Sequence, residues 1–154
     1  MKEKPFAWTP EWLARLAAVQ TYEEAVKLAI DTLVVMPKPI CQVCGPISTG
    51  GLGSSEQNLR VLNYAIRFLQ EHGMTVFDQQ PYEDTIRRLQ ADDPAYLERF
   101  YLPIFKSGHI TKFHFIPGWN TSVGTRWEHD QAVVLGIERG YFPESFIKLA
   151  LLTR

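Results

Sequence analysis

The sequence predicts an α/β sandwich built on a parallel sheet, with an N-terminal helical leader. Three observations carry that expectation. Short β-rich runs alternate with amphipathic helical stretches along most of the 154 residues. Helix-start signals stand at the head of several of those stretches. Two unusual loops, rich in glycine and hydroxyl residues, each follow a strand and lead into a helix.

The leader comes first. Thr9, Pro10 and Glu11 form a helix start that "PEWLARLAAV" continues. Thr21 and Glu24 make a capping box for "YEEAVKLAIDTLVV". Met36-Pro37-Lys38-Pro39 then breaks the chain. Residues 1–36 therefore read as a helical hairpin laid against a core that begins later, with its charges on a solvated face.

"ICQVC", Ile40 to Cys44, is the first strand, and the loop "GPISTGGLGSS" follows it. Ser54 and Gln57 form a capping box for a helix running to about Glu71. Leu59, Leu62, Ile66 and Leu69 supply its apolar stripe, and Gly73 suits the position just past its end. "MTVFD" is the second strand. Tyr82 to Lys106 reads as two helical pieces split at Asp92-Asp93-Pro94. "TKFHFIP" is the third strand, and the loop "PGWNTSVGT" leads to a helix from Thr125. "YFPESFIKLALL" is a terminal piece, a short strand and a helix.

The bulk properties exclude several classes of function. The composition is 45% hydrophobic and 21% charged, as in an ordinary globular domain. A formal net charge of −1 gives no electrostatic case for a nucleic-acid polymer or an anionic membrane as partner. No apolar run approaches the ~18 residues of a membrane span. "MKEKPFAW" is charged and has no apolar signal core behind it, so a cytoplasmic location is expected.

Cys41 and Cys44 form a lone CxxC inside a strand, where i and i+3 point to opposite faces. A reduced, buried, inert pair is expected. No metal and no cofactor is expected, because His72, His109, His114 and His129 show no ligand spacing. The glycine-rich loop is not a P-loop, lacking the lysine, and "GGLGSSEQN" lacks dinucleotide-fingerprint spacing. No GxSxG elbow occurs. What remains is a pair of loops at strand carboxyl ends, each feeding a helix amino terminus suited to an anion.

Glu128 is the anomaly. It shares a helical stripe with Ala132 and Leu135, which read as core. An inward carboxylate fits a ligand cavity; the competing explanation is pairing with Arg126 or Lys112, or support of the helix start.

Together, "CGPIS…SSEQN…FLQEHGMTVFD" and "FIPGWNTSVGTRWEHDQAVVLGI" resemble the nucleoside 2-deoxyribosyltransferase superfamily, which includes nucleoside 5′-monophosphate N-glycosidases. The likeness covers about Ile40 to Asp84 and Gly108 to Ile137. It implies a Rossmann-like three-layer core over residues 40–137, with 138–154 as a C-terminal extension of one domain. It implies Glu128 as nucleophile or transition-state stabiliser, and Ser122 and Gly124 at a phosphate. Gly45, Pro46 and Ile47 would line sugar and base. It also implies a nucleoside or nucleotide as small-molecule partner, and a homodimer or higher homo-oligomer.

Two departures accompany the resemblance. The aspartate that many members carry just before the third strand is missing from "SGHITKF", where His109 is the candidate substitute proton carrier. The apolar last strand after "LGI" is replaced by "ERGYF". From the residues themselves, Thr125 joins Ser122 and Gly124 at the anion site, against the plainer reading of an N-cap turn. Asp78 and Asp84 are candidates for sugar-hydroxyl or base contacts. Trp119 and Trp127 divide between base stacking and aromatic core. Asp130 leaves the helix on another side from Glu128. The expected activity is hydrolysis of the N-glycosidic bond of a nucleoside 5′-monophosphate. The alternatives are a deoxyribosyltransferase and a catalytically inactive nucleotide-binding module.

Overall fold

The structure is a computed structural model and describes residues 8–90 and 95–152. The first seven residues of the leader and the Asp92-Asp93-Pro94 break lie outside the described residues.

Four parallel strands form one sheet in the order β2-β1-β3-β4. The strands are β1 Ile40–Cys44, β2 Thr75–Val76, β3 Ile110–Phe115 and β4 Glu138–Tyr141. The helices are α1 Pro10–Ala17, α2 Tyr22–Val35, α3 Ser55–Glu71, α4 Gln80–Gln90, α5 Leu102–Lys106, α6 Val123–Leu135 and α7 Ser145–Leu152. A π-helical turn, Leu97–Tyr101, runs directly into α5, and a 3₁₀ turn, Trp119–Thr121, precedes α6. The architecture is a three-layer, Rossmann-like α/β sandwich with a helical leader. Among the described residues no helix is long and apolar enough to cross a membrane.

The capping signals are realised. The Thr9 hydroxyl accepts from Trp12 N at 3.3 Å, Thr21 from Glu24 N at 3.1 Å and Ser54 from Gln57 N at 3.1 Å. Each satisfies a first-turn N–H that has no carbonyl within its helix. Glu24 also accepts from Gln20 N at 3.1 Å. Gly73 follows α3 with φ 83°, the left-handed geometry that suits glycine.

The central strand β1 is buried along its whole length and sorts its side chains by alternation. Ile40 and Cys44 belong to one core cluster, Cys41 and Val43 to the other. The first cluster takes Ala25, Leu28 and Leu33 of α2, Tyr82 and Ile86 of α4, and Ile104 and Phe105 of α5. The second is built from Val61, Leu62 and Leu69 of α3 with Phe146 and Ala150 of α7. The leader is thus integral to one outer layer, since α2 buries its apolar side in the main core.

Three expectations change. The second strand is only two residues long. Phe77 N still bonds Cys41 O at 2.8 Å, but the chain then turns into α4. "ERGY" is a true strand, pairing Lys112 with Glu138 through Phe115 with Tyr141. Residues 138–152 therefore complete the sheet and one helical layer, where an extension beyond the core was expected. The helix expected from Thr125 begins at Val123, with Ser122 as its N-cap.

Candidate active site

In a sheet of order 2-1-3-4 the chain reverses its direction of winding between β1 and β3. Loops leaving the carboxyl ends of those two strands diverge there and open a crevice. The loop after β1 and the turn after β3 meet at this point. Thr49 and Ser122 hydroxyls lie 3.3 Å apart, and Gly51 N donates to Thr121 Oγ1 at 2.7 Å. Asn58, buried in α3, fastens the first loop from beneath. Its Oδ1 accepts from Leu52 N at 3.0 Å, and its Nδ2 donates to Ile47 O at 3.0 Å and Gly50 O at 3.2 Å. Glycine is required where the loops touch: a Cβ on Gly50, at φ 66°, would stand 2.2 Å from the Thr121 carbonyl oxygen.

The crevice deepens into a cavity of about 370 Å³. Its rim carries Gly45, Ile47, Ser48 and Thr49 from the first loop and Ser122 to Thr125 from the start of α6. The opposite wall is Gln79 and Glu83 of the α4 region with Tyr96, Leu97 and Tyr101. Glu128 lies on the wall from one turn into α6.

The position of Glu128 is fixed from below. Gln42, fully buried at the centre of β1, donates its Nε2 to Glu128 Oε2 at 3.0 Å. The Cys44 thiol, two residues on along the same strand face, also hydrogen-bonds the carboxyl. Burial and then the nearby charge of Glu83 push Glu128 up to about 8, while these two donors pull the other way. The helix dipole, which favours an anion near a helix start, is outweighed. Burial likewise raises Glu83, which the Tyr101 hydroxyl hydrogen-bonds and so partly relieves. Two carboxyls, both raised by burial, thus line one cavity, and Glu128 keeps its proton up to about 8.

The expected site residues divide. Gly45, Ile47, Ser122, Gly124, Thr125 and Glu128 line the cavity, whereas Pro46 borders a smaller cleft behind the loop. Asp78 does not line the cavity, and its Oδ1 accepts from Gln80 N at 3.0 Å at the start of α4. Asp84 points to solvent and pairs with Arg87 at 3.4 Å. On a helix, one residue is about 100° of rotation, so Glu83 faces the cavity and Asp84 does not. His109 stands just before β3, at the opposite end of the sheet from the cavity, and cannot replace the missing acid. Trp119 stacks on His129 at 4.1 Å, and Trp127 sits 5.9 Å from Phe105. Both are half-buried and pack against the main core, and Tyr96 and Leu97 take the cavity wall.

Ser122 is the N-cap of α6, accepting from Thr125 N at 3.4 Å. Its hydroxyl is therefore engaged, but the N–H groups of Val123 and Gly124 have no intrahelical acceptor, and both residues line the cavity.

No family model, curated protein or solved structure matches the chain.

Gln42, Gln79, Glu83 and Tyr101 were not anticipated. Gln42 did leave a trace, being the one polar side chain in the otherwise apolar "ICQVC". Gln79 donates to Val43 O at 2.9 Å. Its Oε1 is buried without a partner among the described residues, as is that of Gln42. The two cysteines lie in separate core clusters, both free and buried. Burial drives Cys41 up to about 11 and Cys44 well above the ordinary thiol value. Among the described residues no three His, Cys, Asp or Glu side chains gather as a metal site.

Proposed function

We propose that the protein hydrolyses the N-glycosidic bond of a nucleoside 5′-monophosphate, as its resemblance to the nucleotide N-glycosidases suggests. The observation that carries this reading is the pairing of Glu128 and Glu83 in one cavity at the sheet's switch point, beside an amide-lined helix start.

In this reading the α6 start holds the phosphate with the N–H groups of Val123 and Gly124, aided by the Ser48 and Thr49 hydroxyls. Tyr96 and Leu97 hold the base. Glu128 faces the anomeric carbon. As the C1′–N bond breaks, its electron pair leaves with the base, which takes up, by way of Glu83, the proton that Glu128 holds in the free protein. The positive charge developing at C1′ favours the anion of Glu128, opposing the burial that keeps it protonated. Water then adds to C1′, and its proton returns to the carboxyl pair. Gln42 and Cys44 hold the Glu128 carboxyl in place throughout.

The second reading is an inactive nucleotide-binding module. It is favoured by one observation, the protonation of Glu128 up to about 8. Incubation with a panel of nucleotides and free bases separates the possibilities. Free base with sugar phosphate supports hydrolysis, and exchange of the base indicates a transferase. Binding without turnover, unchanged in Glu128→Ala, indicates the inactive module.

A further inference from the structure

The cavity beside Glu128 is electrically polarised. Where α6 begins, the N–H groups of Val123 and Gly124 make a positive end. The Glu83 and Glu128 carboxyls make a negative one. Two buried amide oxygens strengthen it. Gln42 gives its Nε2 to Glu128 and Gln79 gives its Nε2 to Val43 O, while neither Oε1 meets a donor among the described residues. No Lys, Arg or His stands among the described residues that line the cavity. Arg87, whose charge reaches Glu83, lies on the exposed side of α4 and pairs with Asp84 at 3.4 Å.

Tyrosines complete the negative wall. The Tyr96 and Tyr101 rings stand edge to face, with centroids 6.3 Å apart. Burial and then the charges of Glu83 and Glu128 push the Tyr96 hydroxyl up to about 12, so this residue lies within reach of both carboxyls. The Tyr101 hydroxyl is engaged by Glu83. Carboxylates beside aromatic rings are the combination that recognises an organic cation.

We infer that the base held in this cavity is itself cationic, a pyridinium-type ring set against Glu83 and Tyr96 while the 5′-phosphate occupies the α6 start. The inference rests on the nucleotide reading given above and names the class of base within it. Such a ligand is a zwitterion and matches both ends of the cavity. Its ring supplies the counter-charge that the two buried carboxyls lack, which favours the ionised form of each. Bond breakage then needs no proton on the base. The electron pair of the C1′–N bond returns to the ring nitrogen and the base leaves neutral. Water adds to C1′ and gives up one proton to solvent.

Nicotinamide mononucleotide is the probe, compared with its reduced dihydropyridine form, which has nearly the same size and a neutral base. Both are titrated by calorimetry near neutral pH into Glu128→Gln, in which the ligand is not consumed, and into the Glu83→Gln, Glu128→Gln double variant. The oxidised form is expected to bind Glu128→Gln at least ~tenfold tighter than the reduced form, and the double variant to lose most of that preference. Should the double variant fail to fold, Tyr96→Leu in the Glu128→Gln background takes its place and is expected to weaken the oxidised form more than the reduced. The inference is overturned if the reduced form binds as tightly or tighter, or if the preference survives these substitutions. Turnover by the wild type is read separately. A preference for the cation without release of nicotinamide leaves the inference standing and refutes hydrolysis. Release of neutral bases with no preference for the cation refutes the inference and leaves hydrolysis standing.

Discussion

Replacing Glu128 by glutamine removes an ionisation that folding opposes. Unfolded, the carboxyl loses its proton near the ordinary value of 4.5; folded, it keeps the proton up to about 8. Between those values the folded state binds more protons, so stability falls as pH rises and levels off above about 8. The penalty from this one group grows from about 1 kcal/mol at about pH 5.5 to about 4–5 kcal/mol at about pH 8.5. Glu128→Gln has no such ionisation and keeps an oxygen that accepts from Gln42 Nε2. The variant should therefore gain about 3 kcal/mol more over the wild type at about pH 8.5 than at about pH 5.5. Urea titrations followed by circular dichroism at the two pH values measure the difference. A stability gain independent of pH, or a loss at the higher pH, would refute the account of a desolvated, charge-crowded carboxyl.

Other perturbations test the supports. Gln42→Leu removes the amide donor to Glu128 and a buried unpartnered oxygen together, so folding should survive while turnover falls ~tenfold or more, with its acid limb moved to higher pH in the pH–rate profile. Gly50→Ala forces a side chain onto the Thr121 carbonyl at positive φ and should cost about 1–3 kcal/mol in urea denaturation, with loss of nucleotide binding. Cys41 and Cys44 should resist a thiol reagent at about pH 8 in the native protein and react fully in urea, since both thiols are buried and held protonated.

The parts of this fold that were readable in the sequence are those set by local physics. Thr9, Thr21 and Ser54 cap the helices they were expected to cap, because an N-cap needs only its own next three residues. The strand β4 was hidden for the opposite reason. "ERGY" lies at the edge of the sheet with Glu138, Arg139 and Tyr141 exposed, so it carries no apolar alternation to read. Glu128 was visible as a carboxylate on an apolar stripe. Glu83 was not: its role depends on the angle at which α4 leaves β2, which no local pattern records. Asp84, its neighbour, looked equally suitable and turns to solvent.

The proposed hydrolysis puts the Glu128 carboxyl at a sugar's anomeric carbon. The most direct measurement is release of free base from nucleoside 5′-monophosphates by the wild type and by folded Glu128→Gln, quantified by chromatography across pH. Base and sugar phosphate are expected from the wild type, with a loss of at least ~10²-fold in the variant. Equal release by both proteins, or none by either while nucleotide still binds, would contradict it.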